Sequence, residues 1–404
     1  MFLTTNVIPV CISMFFLIIA QLSSVKADCT LSLNKDFAQP SPVFLQDGHY
    51  LNIEANAVVT VKRSDTLMVA CPGDKRKIFL NNVTSGLSEL EAHCINNNTF
   101  RVNRWTGPFK AIRCNTQPWF SAEETGDSCY GGNKMYRVGY KVRNAFYPLY
   151  EACFNKHLLS TLYVIHEVSP RSKTIQAGQR PQFIEGDLFG KVRMSNLYKS
   201  KSQTDRLNAL LGGGCGDKYI TNKQFLNRGH LAPRADFPMR AEQRASFHYV
   251  NSAPQWMRGN AGDWAALEEA LRRRILSLGR PVTVYTGTHG VMTLAYDAGV
   301  TKEFYLDVDA NKNDIVPVPM YFFKVVYDPK TKKAAAFISI NSSFYTDSQI
   351  RNLTFCYDIC DGDPKFSWLR WRSNDGTFSF CCEYQDFIGT VKSLPHLDVD
   401  GLFY

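Results

Sequence analysis

The first 27 residues decide what the cysteines of the rest can do. Val7 to Ala20 is an almost wholly apolar run, followed by small or apolar residues at Val25 and Ala27. A helix that spans a bilayer needs roughly 17–25 apolar residues, and Pro9 interrupts this run. Residues 1–27 therefore read as a secretory leader cut after Ala27, although no Lys or Arg precedes the run. No later stretch is apolar for long enough to span, so no membrane attachment is expected once the leader is gone. Secretion places the cysteines in an oxidising compartment. Of the 12 cysteines, Cys11 falls in the leader; the others are scattered without paired Cys-x-x-Cys knuckles, so disulfides are expected rather than a zinc cluster. Their odd number leaves one thiol free or bridged between chains, and the spacing does not reveal the pairing. Sequons at Asn82, Asn97, Asn341 and Asn352 agree with the secretory route.

A chain of 404 residues fits two domains, and a hydrophobic content of 45% excludes wholesale disorder. Residues 28–130 read as a small β-rich domain. Short runs such as Tyr50-Leu51-Asn52-Ile53-Glu54 and Ala57-Val58-Val59-Thr60-Val61 alternate with turn residues, and five cysteines from Cys29 to Cys129 can staple them. His49 and His93 read as surface or packing residues. Gly126 to Asn133 reads as a linker. From residue 131 to 404 the texture becomes α+β, with strand-like runs at 162–165, 282–285, 321–326 and 336–340 between helical stretches. The net charge of +9, or +8 without Lys26, suits a polyanionic partner as well as it suits plain solubility.

The chemistry concentrates in residues 227–274. Asn227-Arg228-Gly229-His230-Leu231-Ala232-Pro233 comes first, then a strand-like Phe247-His248-Tyr249-Val250-Asn251. A helix follows, with Trp264, Leu267, Leu271, Ile275 and Leu278 as its apolar stripe and Gly279 and Pro281 as its stop. Asn260, Trp264, Glu268 and Arg272 step by four, so their polar members line one side. Taken alone, Asn260 is as readily an N-cap and Glu268/Arg272 an ion pair. Taken together, the segment offers what phosphodiester hydrolysis requires. A neutral imidazole takes a proton from water. One amide oxygen suffices for a strongly hydrated Mg²⁺, and a guanidinium fork grips phosphate.

At these residues the sequence resembles the DNA/RNA non-specific endonuclease family, whose fold is the ββα-metal or His-Me finger. The family's Asp-Arg-Gly-His-x-x-Pro stands here as 227–233, and its Asn-x-x-x-Trp-x-x-Leu-Glu as Asn260, Trp264, Leu267 and Glu268. The resemblance implies a central mixed or antiparallel sheet. It implies His230 as general base and Asn260 as the single direct ligand of Mg²⁺, for which Mn²⁺ can substitute. Glu268 would hold the ion's waters, Arg228 and Arg272 would lie near the phosphate, and the neighbourhood of Asn251 would orient the histidine. Strand blocks at 284–288 and 316–325 extend the likeness, and the layout is similar to that of secreted arthropod two-domain nucleases. The departure is Asn227, which keeps hydrogen-bonding capacity but not the charge of the family's Asp. The expected partner is nucleic acid, DNA in preference and double-stranded, with RNA as the alternative. The competing reading is a secreted protein that binds nucleic acid without cutting it; a third makes the amino-terminal domain a binding module.

Weaker signals remain. Lys191, Arg193, Lys199, Lys201 and Arg206, and separately Arg272-Arg273-Arg274, are basic stretches able to track a phosphate backbone or simply to face solvent. His166 and His248 read as packing or surface residues. The late cysteines Cys356, Cys360, Cys381 and Cys382 read as disulfides.

Overall fold

The computed structural model describes residues 27–63, 65–170, 175–297, 300–372 and 378–404. The expected leader, apart from Ala27, lies outside these. Among the described residues no helix is long and apolar enough to cross a membrane.

A nine-stranded sheet is the backbone of the carboxy-terminal unit. Its spatial order runs Ser121–Ser128, Lys134–Val142, Ala145–Asn155, Ser160–Val168, Val282–Val291, Pro319–Asp328, Lys333–Ile340, Phe378–Cys382. Each of these neighbours is antiparallel, and Gly401–Leu402 adds the one parallel pairing, beside Lys333 and Ala334. The sheet is therefore mixed and the class α+β. Both faces are covered, which is why the strand at 319–328 is almost continuously apolar instead of alternating. Phe323, Val325 and Ile338 face one core, with the helix Tyr384–Thr390; Phe322, Val326 and Phe337 face the other, with the helix Asp263–Leu278. Lys324 lies on the second face, 1% exposed, between Phe322 and Val326.

The amino-terminal unit holds a six-stranded sheet, and Cys29–Cys94 and Cys71–Cys114 staple it. The fifth cysteine expected there, Cys129, pairs instead with Cys153 inside the large sheet. The segment 126–133 is correspondingly no linker. Strand Ser121–Ser128 already pairs with Lys134–Val142, and Gly131-Gly132 form the tight connection between them. The run at 50–54 leaves the strand after Tyr50. The two units share a core, since Val43, Leu45 and Ala70 join the cluster that contains Phe120 and Tyr140. Tyr50 donates to the Tyr147 carbonyl at 2.7 Å, and Arg143 pairs with Glu91 at 2.8 Å. Cys356–Cys382 and Cys360–Cys381 close the late pairs, and Cys215 is the free thiol.

Asn341 departs from its reading as a sequon. It is 4% exposed; its amide donates to the carbonyls of Pro254 (3.0 Å) and Pro319 (2.9 Å), and its oxygen accepts from Trp256 N (3.0 Å). It clamps the strand Ser252–Trp256 against the large sheet. Asn341→Ala strands three buried backbone groups, so a loss of about 2–4 kcal/mol is expected in urea unfolding. Glycopeptide mapping should find Asn341 unmodified.

Candidate active site

The hairpin that carries the motif pairs Leu226–His230 with Ser252–Trp256, matching Asn227 with Gln255, Gly229 with Ala253 and His230 with Ser252. A Cβ at Gly229 would sit 2.8 Å from that of Gln255, so the middle of Arg-Gly-His must lack a side chain. The segment 247–251 is not a strand. Tyr249–Asn251 forms a 3₁₀ turn, and the strand begins at Ser252. The turn is fixed from outside by Thr161, whose hydroxyl donates to the Val250 carbonyl at 2.6 Å.

The expected single helix is two. Met257–Ala261 ends at Gly262, whose φ/ψ of −97/−115 is not helical, and Asp263–Leu278 begins afresh. Asn260 therefore belongs to the short first helix, and the four-step row is a true helical face only from Trp264 through Glu268 to Arg272. Asp263, fully buried, fastens the second helix by accepting from Ser379 Oγ at 3.2 Å and Arg372 N at 3.1 Å. Gly279 ends it in the left-handed region, where glycine is free of a Cβ clash.

Beside the hairpin lies a cleft of about 540 Å³. Its walls include Arg180, Gln182, Phe183, Asn227, Arg228 and Asn260. Arg228 is caged: its Nε donates to Tyr249 Oη at 2.9 Å, and its guanidinium lies 5.1 Å from the Tyr198 ring centre and 5.8 Å from that of Phe183. The cage holds the fork in one orientation while the cleft stays open to a ligand. Arg180 is the residue the sequence did not single out. It comes from a loop far from the motif, and only the fold brings it to the same cleft.

His230 lies behind Phe183, ring centres 4.9 Å apart, with Phe247 at 4.8 Å on another side. Its Nε2 is buried and has no hydrogen-bond partner among the described residues. Burial, then the positive charges of Arg180, Arg234 and Lys324, push the imidazole down to about 3. The ring is thus neutral at physiological pH, the state a base requires. Asn251 is fully buried and does not face the cleft. Its Oδ1 accepts from Ala232 N at 2.8 Å, and its Nδ2 donates to the carbonyls of Ala232 (2.8 Å) and Ser246 (2.9 Å), which fixes the chain just after His230.

Behind the hairpin, a charged cluster joins helix and sheet. Asp236 accepts from Arg272 NH1 at 2.9 Å and is 2.8 Å from His166 Nε2. Burial raises the Asp236 carboxyl, but the His166 hydrogen bond and Arg272 outweigh it and hold it well below the usual carboxylate range. Arg272, expected near the phosphate, is thus engaged by a carboxylate. Glu268 stands 3.9 Å from the Lys324 ammonium. Burial raises the Glu268 carboxyl to about 7, with Lys324 and then Arg272 pulling against that rise. His166, read as a packing or surface residue, is part of this cluster. His248 is a packing residue, 1% exposed, with Nδ1 accepting from Val250 N at 3.1 Å.

The basic stretches are largely spoken for. Arg193 pairs with Glu185, Lys201 with Asp205 and Arg206 with Asp314. Arg273 pairs with Glu269, and Arg274 donates to the Tyr404 carbonyl. As for a metal, the lining of the cleft offers amide and hydroxyl oxygens with neither sulfur nor imidazole nitrogen, and Glu268, 16% exposed, is a carboxylate on the helix that follows Asn260. That donor chemistry fits a hard divalent cation such as Mg²⁺.

Comparison with known proteins places the chain in a family. A family model described as DNA/RNA non-specific endonuclease matches residues 131–386. A salivary endonuclease of Lutzomyia longipalpis is 28% identical over 389 residues, covering 93% of this chain and 86% of the relative. A salivary endonuclease of Culex quinquefasciatus is 24% identical over 69% of this chain and 71% of its own. Salivary protein Tsal2A of Glossina morsitans morsitans is 23% identical, with 94% and 95% covered. Among solved structures, the EndoG/EndoGI complex aligns over 63% of this chain and 87% of its own at 15% identity, with a TM-score of 0.37.

Two buried imidazoles make stability depend on pH. His230 is held at about 3 and His248, by burial, at about 4, against an ordinary value near 6.5. Between these values the two imidazoles bind more protons in the unfolded chain and remove stability as pH drops from about 6.5 toward 4; Glu268, raised to about 7, works the other way but is one group against two, so stability falls. Urea midpoints at pH 7, 6 and 5 should decline in that order; equal midpoints would overturn the neutral-imidazole assignment.

Proposed function

Because this chain belongs to the DNA/RNA non-specific endonuclease family, we propose that it is a secreted, divalent-metal-dependent hydrolase that cuts phosphodiester bonds, of DNA in preference, with His230 as general base. The observation that carries this reading is a histidine kept uncharged by burial at the end of the strand whose Asn227 and Arg228 share a cleft with Arg180 and Asn260. The names of the salivary relatives and the five disulfides support secretion; DNA as the preferred substrate is an extension of the family reading.

The division of labour follows from the positions. Arg228, held by Tyr249, and Arg180 from the opposite loop grip non-bridging phosphate oxygens as charged donors. They neutralise the backbone without reading bases, so binding is sequence-blind and sensitive to salt. His230 takes the proton of the attacking water on its ring. Phe183 and Phe247 pack against two sides of the ring and restrict its tilt. Asn260 would hold Mg²⁺, or Mn²⁺ in its place, through its amide oxygen, with Glu268 steadying the ion's waters. Such an ion supplies positive charge for the transferring phosphate and the departing oxygen. Asn227 lends an uncharged hydrogen-bonding group where the family has Asp, and Arg272 acts through Asp236 and Glu268 rather than on the phosphate.

His230→Ala should lower plasmid cleavage by roughly 10²–10⁴-fold with the circular dichroism spectrum unchanged. A variant that digests normally removes the assignment. Asn260→Ala and EDTA should each abolish cleavage of the folded protein, with Mg²⁺ restoring only the EDTA-treated enzyme. Metal titration on matched single- and double-stranded DNA and RNA ranks the substrates; equal rates on all four would overturn the DNA preference.

A further inference from the structure

Lys324 is the buried charge that the mechanism above leaves without a task. It comes from the centre of the large sheet, not from the motif segment, and an ammonium 1% exposed is costly to desolvate unless something requires it. Its Nζ donates to the Leu231 carbonyl at 3.1 Å, the residue directly after His230. It donates to Thr286 Oγ1 at 2.9 Å on the neighbouring strand. It stands 3.9 Å from Glu268 Oε1 and 5.0 Å from the Trp264 ring centre, both on the long helix. One ammonium therefore touches the motif strand, the sheet and the helix, which are the three parts a ββα centre must hold in register.

We propose that Lys324 is a positioning residue of the nuclease centre, fixing the backbone beside His230 and the carboxylate of Glu268 to one point on the sheet. This rests on the roles given to His230 and Glu268 above.

The charge balance shows why a neutral residue would not serve. Glu268 and Asp236 bring two carboxylates toward this spot; Lys324 and Arg272 bring two cations, and His166 faces Asp236 from the sheet. Without Lys324, Glu268 would either stand as an uncompensated negative charge close behind the place where an anionic phosphodiester must bind, or take up a proton and lose its charge. The same ammonium opposes protonation of His230, as do Arg180 and Arg234 from their loops, and it opposes protonation of Glu268 together with Arg272. Its removal therefore moves both groups in one direction, toward the protonated and inactive form. A lysine that only filled space would be replaced by methionine without any such shift.

The test is Lys324→Met, which keeps the length of the side chain and removes the charge. With folding verified by thermal melt, kcat should fall roughly 10–100-fold, the range typical of residues that orient a reactive group, with KM changed much less. The acid limb of the pH–kcat profile should move to higher pH. A double-mutant cycle with Glu268→Gln should show strong coupling, the second substitution costing far less than the first. A folded Lys324→Met enzyme with kcat within threefold of the parent and an unmoved profile overturns the proposal, as do additive losses in the cycle. Should Lys324→Met not fold, Thr286→Val removes one tie to the ammonium and should shift the profile in the same direction by less; an unmoved profile there also overturns it. His230→Ala assayed in parallel separates the two readings: full activity in that variant defeats the assignment of the base, whatever Lys324 does.

Discussion

A single buried carboxylate organises the back of this site. Asp236 follows the motif strand by six residues and accepts from Arg272 on the long helix while facing His166 on the sheet. Unpaired, a carboxylate so deeply buried would be protonated; with two partners it stays ionised and binds helix to sheet with charge-assisted bonds. The helix cannot then slide or rotate along the sheet without breaking both contacts. Glu268 lies one helical turn before Arg272, so its position is set by the same anchor. The hairpin is held separately, by Asn251 within its own loop and by Asn341 from the sheet. His230 and Glu268 thus sit on two elements that are each fastened to the same nine strands.

The sequence made the motif residues legible because a ββα centre is local. Asn227, Arg228, His230 and Asn260 fall within 34 residues, and their fold requires only a hairpin followed by a helix. Where the reading departed, the cause was a single position or a distant contact. Gly262 breaks what periodicity presents as one helix, because a four-residue step carries no information about a dihedral angle. The sequon at Asn341 is a pattern of three residues, whereas its burial depends on Pro254 and Pro319 far away in the chain. Arg180, Asp236 and Lys324 reach the site from three separate segments. Nothing in their flanking residues signals it, and each could be found only once the sheet had placed its strands.

The boundary between the units shows the same limit. Gly-rich residues at 126–133 read as a linker in sequence, yet Ser121–Ser128 is the edge of the large sheet and Cys129–Cys153 ties its hairpin across two strands. The amino-terminal sheet packs Val43 and Leu45 into the core of the unit that carries the site. It is not a tethered accessory on a loose linker. Its burial against Tyr140 and Tyr147 supports the very strands whose Tyr140 and Tyr150 donate to the Ala241 and Ala245 carbonyls. Those carbonyls belong to the helix Arg240–Ala245, which lies between the motif strand and its partner, so the first unit braces the loop that separates the two halves of the hairpin.

Asn227 gains its meaning from how charge is distributed between the front and back of the site. The described residues lining the cleft include Arg180, Arg228 and several uncharged amides, but no carboxylate. Asp236 and Glu268 stand behind, where Arg272, His166 and Lys324 face them, and Glu185, which accepts from Ser195 N of the cleft wall, is paired with Arg193. An Asp at 227 would place a negative charge next to Arg228 and offset the field that draws a polyanion. With Asn there, the front stays positive, and the negative charge that organises the centre is confined to the buried cluster. Asp263 fastens the start of the long helix on its own, through Ser379 and Arg372, so what passes through the cluster, and through the one lysine that comes up from the sheet to meet it, is the placing of Glu268.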